Sequence, residues 1–265
     1  EDIFLKLNKS PNLFDKRISE ILMSFPTPSG YKKEFYMYKT PNMPDQLAIK
    51  YSDIKTYTGI GIDNPSDLVS LTLHNGEAIA MIYSNEGNIF ISKDHDSDLY
   101  RVSHNELGYD DAPFDCGHSA FTSENNMTRS SQFDECVGEN TPCYTMGDKL
   151  ITYRIAMIMT ESVTNSVADG TVEGGIAWIA SMVNKLNLLW RRELGFQFEL
   201  IPNNDILVFT NENPAPSEFA VNNCAATSDG DPKYCEINNV EPYLESVIGI
   251  GGFNAPDATR LWEYG

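Results

Sequence analysis

One stretch of this 265-residue chain, residues 151–209, constrains the fold most, because its hydrophobic period changes twice. Residues 151–160 place Ile151, Tyr153, Ile155, Met157 and Met159 at every odd position, the period of two that marks a strand. With apolar residues among the even positions too, this strand is expected to be buried near a sheet centre. After a turn at Asp169-Gly170, Ile176, Ile179, Ala180, Val183, Leu186, Trp190 and Leu194 recur in steps of three and four, the stripe of an amphipathic helix. Thr171 is placed to cap that helix and Gly195 to end it. Alternation returns in Phe196-Gln197-Phe198-Glu199-Leu200, and a further strand is expected over residues 206–209. Strand, long helix, strand is a βαβ crossover.

The first 107 residues read differently, as short strands between turns. Residues 35–38, 68–73, 78–83 and 88–92 are rich in β-branched and aromatic side chains, and Pro26, Gly59, Asn64-Pro65, Asn75-Gly76 and Glu86-Gly87 punctuate them. Asn75-Gly76 predicts a type I′ hairpin pairing 69–73 with 78–82, since both residues tolerate the positive φ that such a turn demands. A short helix is expected over residues 16–23. A second is expected over 44–51, with Pro44 in its first turn and Leu47, Ala48 and Tyr51 on one side, covering a sheet face. Residues 108–148 lose all periodicity and hold Cys116, Cys136 and Cys143, so they read as a cysteine-containing linker. The expected class is therefore α+β/α/β: a β-rich domain over 1–107, the linker over 108–148, and a βαβ mixed-sheet unit over 149–265.

Charge narrows the partners. Nineteen Lys and Arg against 38 Asp and Glu leave a net charge of -19, which repels phosphate backbones and anionic head groups and excludes nucleic acid. With 41% hydrophobic residues the chain has material for a core. No apolar run reaches the roughly 18–20 residues of a membrane-spanning helix. Glu1-Asp2-Ile3 carry no basic, apolar leader, so an export signal is expected to have been removed or not included. Five cysteines parse as two short disulfides, Cys136 with Cys143 and Cys224 with Cys235, leaving Cys116 free. Zinc held by the pairs is the competing parse, although neither pair has the two-residue spacer of a zinc knuckle. Disulfides point to a secreted, extracellular protein. Asn8-Lys9-Ser10 and Asn126-Met127-Thr128 are glycosylation sequons.

Several short motifs carry a resemblance to a family. They are Tyr153-Arg154-Ile155-Ala156, Gly170-Thr171-Val172-Glu173-Gly174, Met182-Val183-Asn184-Lys185-Leu186-Asn187, Arg192-Glu193-Leu194 and Phe198-Glu199-Leu200-Ile201. Together they resemble the first strand, the helix that precedes the active-site helix, and the second strand of the catalytic domain in secreted reprolysin-like zinc metallopeptidases of the metzincin clan. Upstream, Met43-Pro44-Asp45-Gln46-Leu47-Ala48 and Ile54-Lys55-Thr56-Tyr57-Thr58-Gly59 are similar to the propeptide of the same enzymes. The resemblance implies a β-rich propeptide-like domain followed by an upper catalytic subdomain, zinc in the complete enzyme, and protein or peptide substrates.

That chemistry needs His-Glu-x-x-His on a helix, with two imidazoles one turn apart on zinc and the glutamate polarising the metal-bound water. The motif is absent. The four histidines are His74, His95, His104 and His118, and residues 149–265 contain none. The tail, from Val247-Ile248-Gly249 to Trp262-Glu263-Tyr264-Gly265, resembles the segment just before the zinc helix. Two explanations compete: a piece of a longer zymogen, which is the expectation, or a shortened relative kept as a non-catalytic extracellular structural or binding subunit. On the first, the partner is the remainder of its own catalytic domain, and this chain alone binds no zinc and cuts no peptide. No sequence feature sets an oligomeric state.

Other candidate sites follow. Cys116-Gly117-His118 resembles the propeptide cysteine that masks zinc in latent members of the clan; its plain reading is an unpaired thiol in a loop. Asp94, Asp96 and Asp98 alternate as calcium ligands do, but Leu99 stands where an EF-hand loop needs glycine, which favours a solvated loop. His74 and His104 are expected to be structural, and Glu173 to sit on the helix dipole. Nucleophile elbows and nucleotide fingerprints are absent.

Overall fold

The computed structural model describes residues 3–15, 17–94, 97–104 and 149–215. Seven strands, β1 (Leu22–Pro26), β2 (Lys32–Lys39), β3 (Lys55–Gly61), β4 (Leu68–His74), β5 (Glu77–Tyr83), β6 (Ile89–Lys93) and β7 (Tyr100–Ser103), form one curled sheet in sequence order. Every neighbouring pair is antiparallel. The Asn75-Gly76 turn has φ of 49° and 79°, the left-handed geometry of a type I′ hairpin, and it sets Val69 opposite Ile82 and Leu73 opposite Ala78. β3 runs through Gly59, which sequence alone suggests as a strand boundary. A Cβ there would lie 2.5 Å from Val69 Cγ1 and 2.8 Å from Met37 Sδ, so the glycine serves close packing inside the sheet.

One face of this sheet is apolar. Phe35, Met37, Tyr57, Val69, Leu71, Leu73, Ala80, Ile82, Ile89 and Ile91 form a buried cluster with Phe25 and with Leu7 of a short helix, α1 (Ile3–Leu7). The helix expected over 16–23 does not form among its described residues. Residues 17–21 run irregularly into β1, because their backbone and hydroxyl groups bond to β2: Met37 N donates to Ile21 O at 2.8 Å and Ser19 Oγ to Met37 O at 2.5 Å.

The second half is the βαβ unit. β8 (Ile151–Ile155) and β9 (Phe196–Leu200) pair in parallel, joined by α3 (Glu161–Val167) and α4 (Val172–Glu193). Thr171 caps α4 by accepting a hydrogen bond from Gly174 N at 3.0 Å, and Gly195 follows the helix with φ of 69°. The expected ten-residue buried strand is shorter and more exposed: β8 stops at Ile155, Ile151 is 53% exposed, and only Met159 is deeply buried, where it bridges to Val208. Residues 204–207 form a single 3-10 turn instead of the start of a strand, because Asn204 binds both backbone groups of Met157 at 2.8 and 3.0 Å. No helix among the described residues is long and apolar enough to cross a membrane.

Helix α2 (Asp45–Lys50) forms with Pro44 as its N-cap, one position outside the first turn. It does not simply cover the sheet. Met43, Leu47, Tyr51 and Ile54 join Ile176, Ile179, Val183, Phe198 and Leu200 in a second core, so α4 is wedged between the seven-stranded sheet and a core shared by both halves. Leu200 N donates to Asn42 O at 2.9 Å, which ties the segment before α2 to β9.

Candidate functional site

The best-defined contact between the two halves is the seam where α4 lies on β3 and β4. Thr58 bonds to Arg191 of α4, so the side chains of Thr58 and of the residues sharing its face point toward the helix. Register places Ser70 opposite Thr58 and Thr72 opposite Thr56, all on that face and all buried. The seam is thus lined by hydroxyls, with Thr40 bonded to Thr58 at 3.1 Å, while the opposite face of the same strands carries the apolar cluster.

Asparagines clasp this seam. Asn184, fully buried, donates through Nδ2 to Tyr57 O and Leu71 O, each at 3.1 Å. Asn42 donates to Ala180 O at 2.7 Å. On the other side of α4, Asn187 accepts from Phe198 N at 2.6 Å and donates to Phe198 O at 2.7 Å, so one amide side chain completes the free edge of β9. The sequence carried a signal for these residues: Asn184 and Asn187 interrupt the apolar stripe of α4 one turn beyond Ala180 and Val183, and a polar residue kept on a buried face needs specific partners. That pattern alone does not say which backbone groups they bind.

Toward the N-terminus of α4 the seam widens into an open groove of about 430 Å³ lined by His74, Ala78, Phe90, Arg101, Trp178 and Lys185, among others. Lys185 Nζ sits 5.7 Å from the centre of the Phe90 ring. His74 Nε2 lies 3.3 Å from Glu173 Oε1 across the groove's end, which makes both residues part of the seam. Outside the groove, the Asp205 carboxylate contacts Lys50 Nζ and accepts from Tyr51 OH at 3.2 Å, binding α2 to the 3-10 turn. Burial, then the Asp205 charge, pushes the Tyr51 phenol up, and burial likewise pushes up Tyr57, whose hydroxyl donates to Asn8 Oδ1 at 3.3 Å.

The residues singled out from sequence are mostly elsewhere. Cys116, Cys136, Cys143, Cys224, Cys235, Asn126, Asp96, His95 and His118 lie outside the described residues. Asp94 accepts from Ser97 Oγ at 3.1 Å, whereas Asp98, fully exposed, pairs with Lys93 Nζ at 3.2 Å, so these two carboxylates have separate partners. Asn8 is exposed just after α1. His104 Nδ1 is 3.2 Å from Asn88 O, and Glu161 accepts from Ala215 N at 3.1 Å. Among the described residues no group of three His, Cys, Asp or Glu is placed to hold a metal ion. The described residues bring no such set together, and no reaction step is assigned to them. No protein-family profile, curated protein or solved structure matches this chain.

Proposed function

We propose that this chain is the propeptide and the N-terminal part of the catalytic domain of a secreted zinc-dependent endopeptidase, held as a latent precursor. The zinc ligands and the catalytic glutamate would come from the rest of the catalytic domain, and the substrates are proteins or peptides. The motifs of the βαβ unit and of the Met43 and Tyr57 regions support this reading. The observation that carries it is the chemistry of the seam. A propeptide has to leave, and the sheet face that meets α4 is lined by Thr58, Ser70 and Thr72, hydroxyls that water can satisfy after separation.

The test is to express the product of the complete coding sequence with a cleavage site for an added protease engineered into residues 105–148. Casein hydrolysis should appear on cutting and vanish on zinc chelation. No hydrolysis before or after cutting, with zinc supplied, overturns the reading.

A second reading is favoured by the α2 anchor. Leu47 and Tyr51 are built into the α4 core, which suits a non-catalytic extracellular structural or binding subunit whose halves stay joined. Cut chains that remain associated and inactive would favour it.

A further inference from the structure

The seam contains one charged group that the clasp does not explain. Arg191, in the last turn of α4, reaches into the junction of α4, β3, β9 and the segment preceding β1. Its Nε donates to Gln197 Oε1 at 2.7 Å, and Nη1 reaches Thr58 Oγ1 only at 3.5 Å. Nη2 is shut away from solvent with no hydrogen-bond partner. The Phe14 ring lies over the guanidinium, with Cζ 5.6 Å from its centre. Every neighbour is neutral: an amide, a hydroxyl and an aromatic ring. No carboxylate among the described residues faces the group. The next residue shows the contrast. Arg192 is exposed, donates to Ser66 O at 2.7 Å and stacks on Tyr83 at 5.5 Å.

An arginine whose Nη2 is withdrawn from water without a counter-ion or hydrogen-bond partner opposes the association that buries it. Two of the groups that enclose Arg191, Phe14 and Thr58, belong to the N-terminal half, so separation of the halves returns the guanidinium to water. We propose that Arg191 is a loosening device built into the seam: a part-buried cation, with Nη2 shut from solvent and no carboxylate partner, that keeps the N-terminal sheet removable despite the Asn184 clasp and the α2 anchor. This rests on the reading of the N-terminal half as a propeptide, and it adds the element that regulates release. The burial that creates the opposition also pulls the Arg191 pKa down to about 10. The α4 C-terminus offsets part of the cost, since the helix dipole favours a cation there, but it contributes no carboxylate to the pair-less guanidinium.

The test uses the full chain cut within residues 105–148 and follows dissociation of the N-terminal half by exchange with a fluorescent copy. Arg191→Met should slow dissociation about tenfold, because it keeps the packed volume and removes the charge. Phe14→Glu, at a ring that is 53% exposed, supplies a counter-ion from the surface and should also slow release, but only where Arg191 is present. If Arg191→Met leaves the rate unchanged or raises it, or if Phe14→Glu acts equally in the Arg191→Met background, the proposal is overturned. Should Arg191→Met misfold, the comparison of Phe14→Glu with Phe14→Gln decides: equal rates refute the device. The readout is separation of the halves, so failure here leaves the hydrolysis test standing, and absence of hydrolysis leaves this rate comparison intact.

Discussion

Leu71 and Ser70 are consecutive in β4, both almost wholly buried, yet one faces an apolar cluster and the other faces α4 across a lining of hydroxyls. The apolar face is closed by α1 and by the sheet's own side chains, all within the N-terminal half. The hydroxyl face is closed by a helix from a distant part of the chain. The difference teaches where stability resides: apolar burial holds the sheet itself together, while on the hydroxyl face directional bonds from Asn184 and Asn42 set how α4 docks, the apolar part of that docking being confined to the α2 side. Water can replace the second kind of contact far more readily than the first.

Substitutions on the two faces sharpen this contrast. Leu71→Ala should cost most, about 2–5 kcal/mol, through lost transfer energy and a cavity, read as a lower urea midpoint with an unchanged slope. Asn184→Leu removes the donor that serves Tyr57 O and Leu71 O and should cost about 1–3 kcal/mol by the same measurement. Thr72→Val should go the other way. The Thr72 hydroxyl is buried with no partner, so exchanging it for a methyl of similar shape should stabilise by roughly 0.5–1 kcal/mol, visible as a small rise in Tm. A loss of stability in Thr72→Val as large as in Leu71→Ala would erase the distinction between the faces.

The sequence makes the local part of this architecture readable. Asn75-Gly76 fixes a hairpin because the turn geometry and the register are decided within a dozen residues. The stripe of α4, its Thr171 cap and its Gly195 stop are equally local. What the pattern misplaces depends on distant partners. Residues 17–21 look helical but give their hydrogen bonds to β2. Gly59 looks like a stop but is small because Val69 and Met37 press against it. The odd-position apolar run after Ile151 suggests a central strand, yet Asn204 captures the backbone of Met157 and the strand ends early. Within the seam, the buried asparagines are visible as breaks in a stripe, whereas Arg191 resembles any basic residue in a last helical turn until Phe14 and Thr58 are seen around it.

Asn184 also has a consequence for how the protein is made. Its carbonyl partner Leu71 precedes it by 113 residues. The last strand of the meander ends at Ser103, so on a ribosome adding about 5–20 residues per second the sheet can assemble from its own turns and then stand for roughly 4–16 seconds before Asn184 has been synthesised. During that interval the hydroxyls of Thr58, Ser70 and Thr72 are ones that water can wet, whereas Met43, Leu47, Tyr51 and Ile54 stand without the α4 partners that cover them, so the α2 side is where a waiting nascent chain exposes apolar surface.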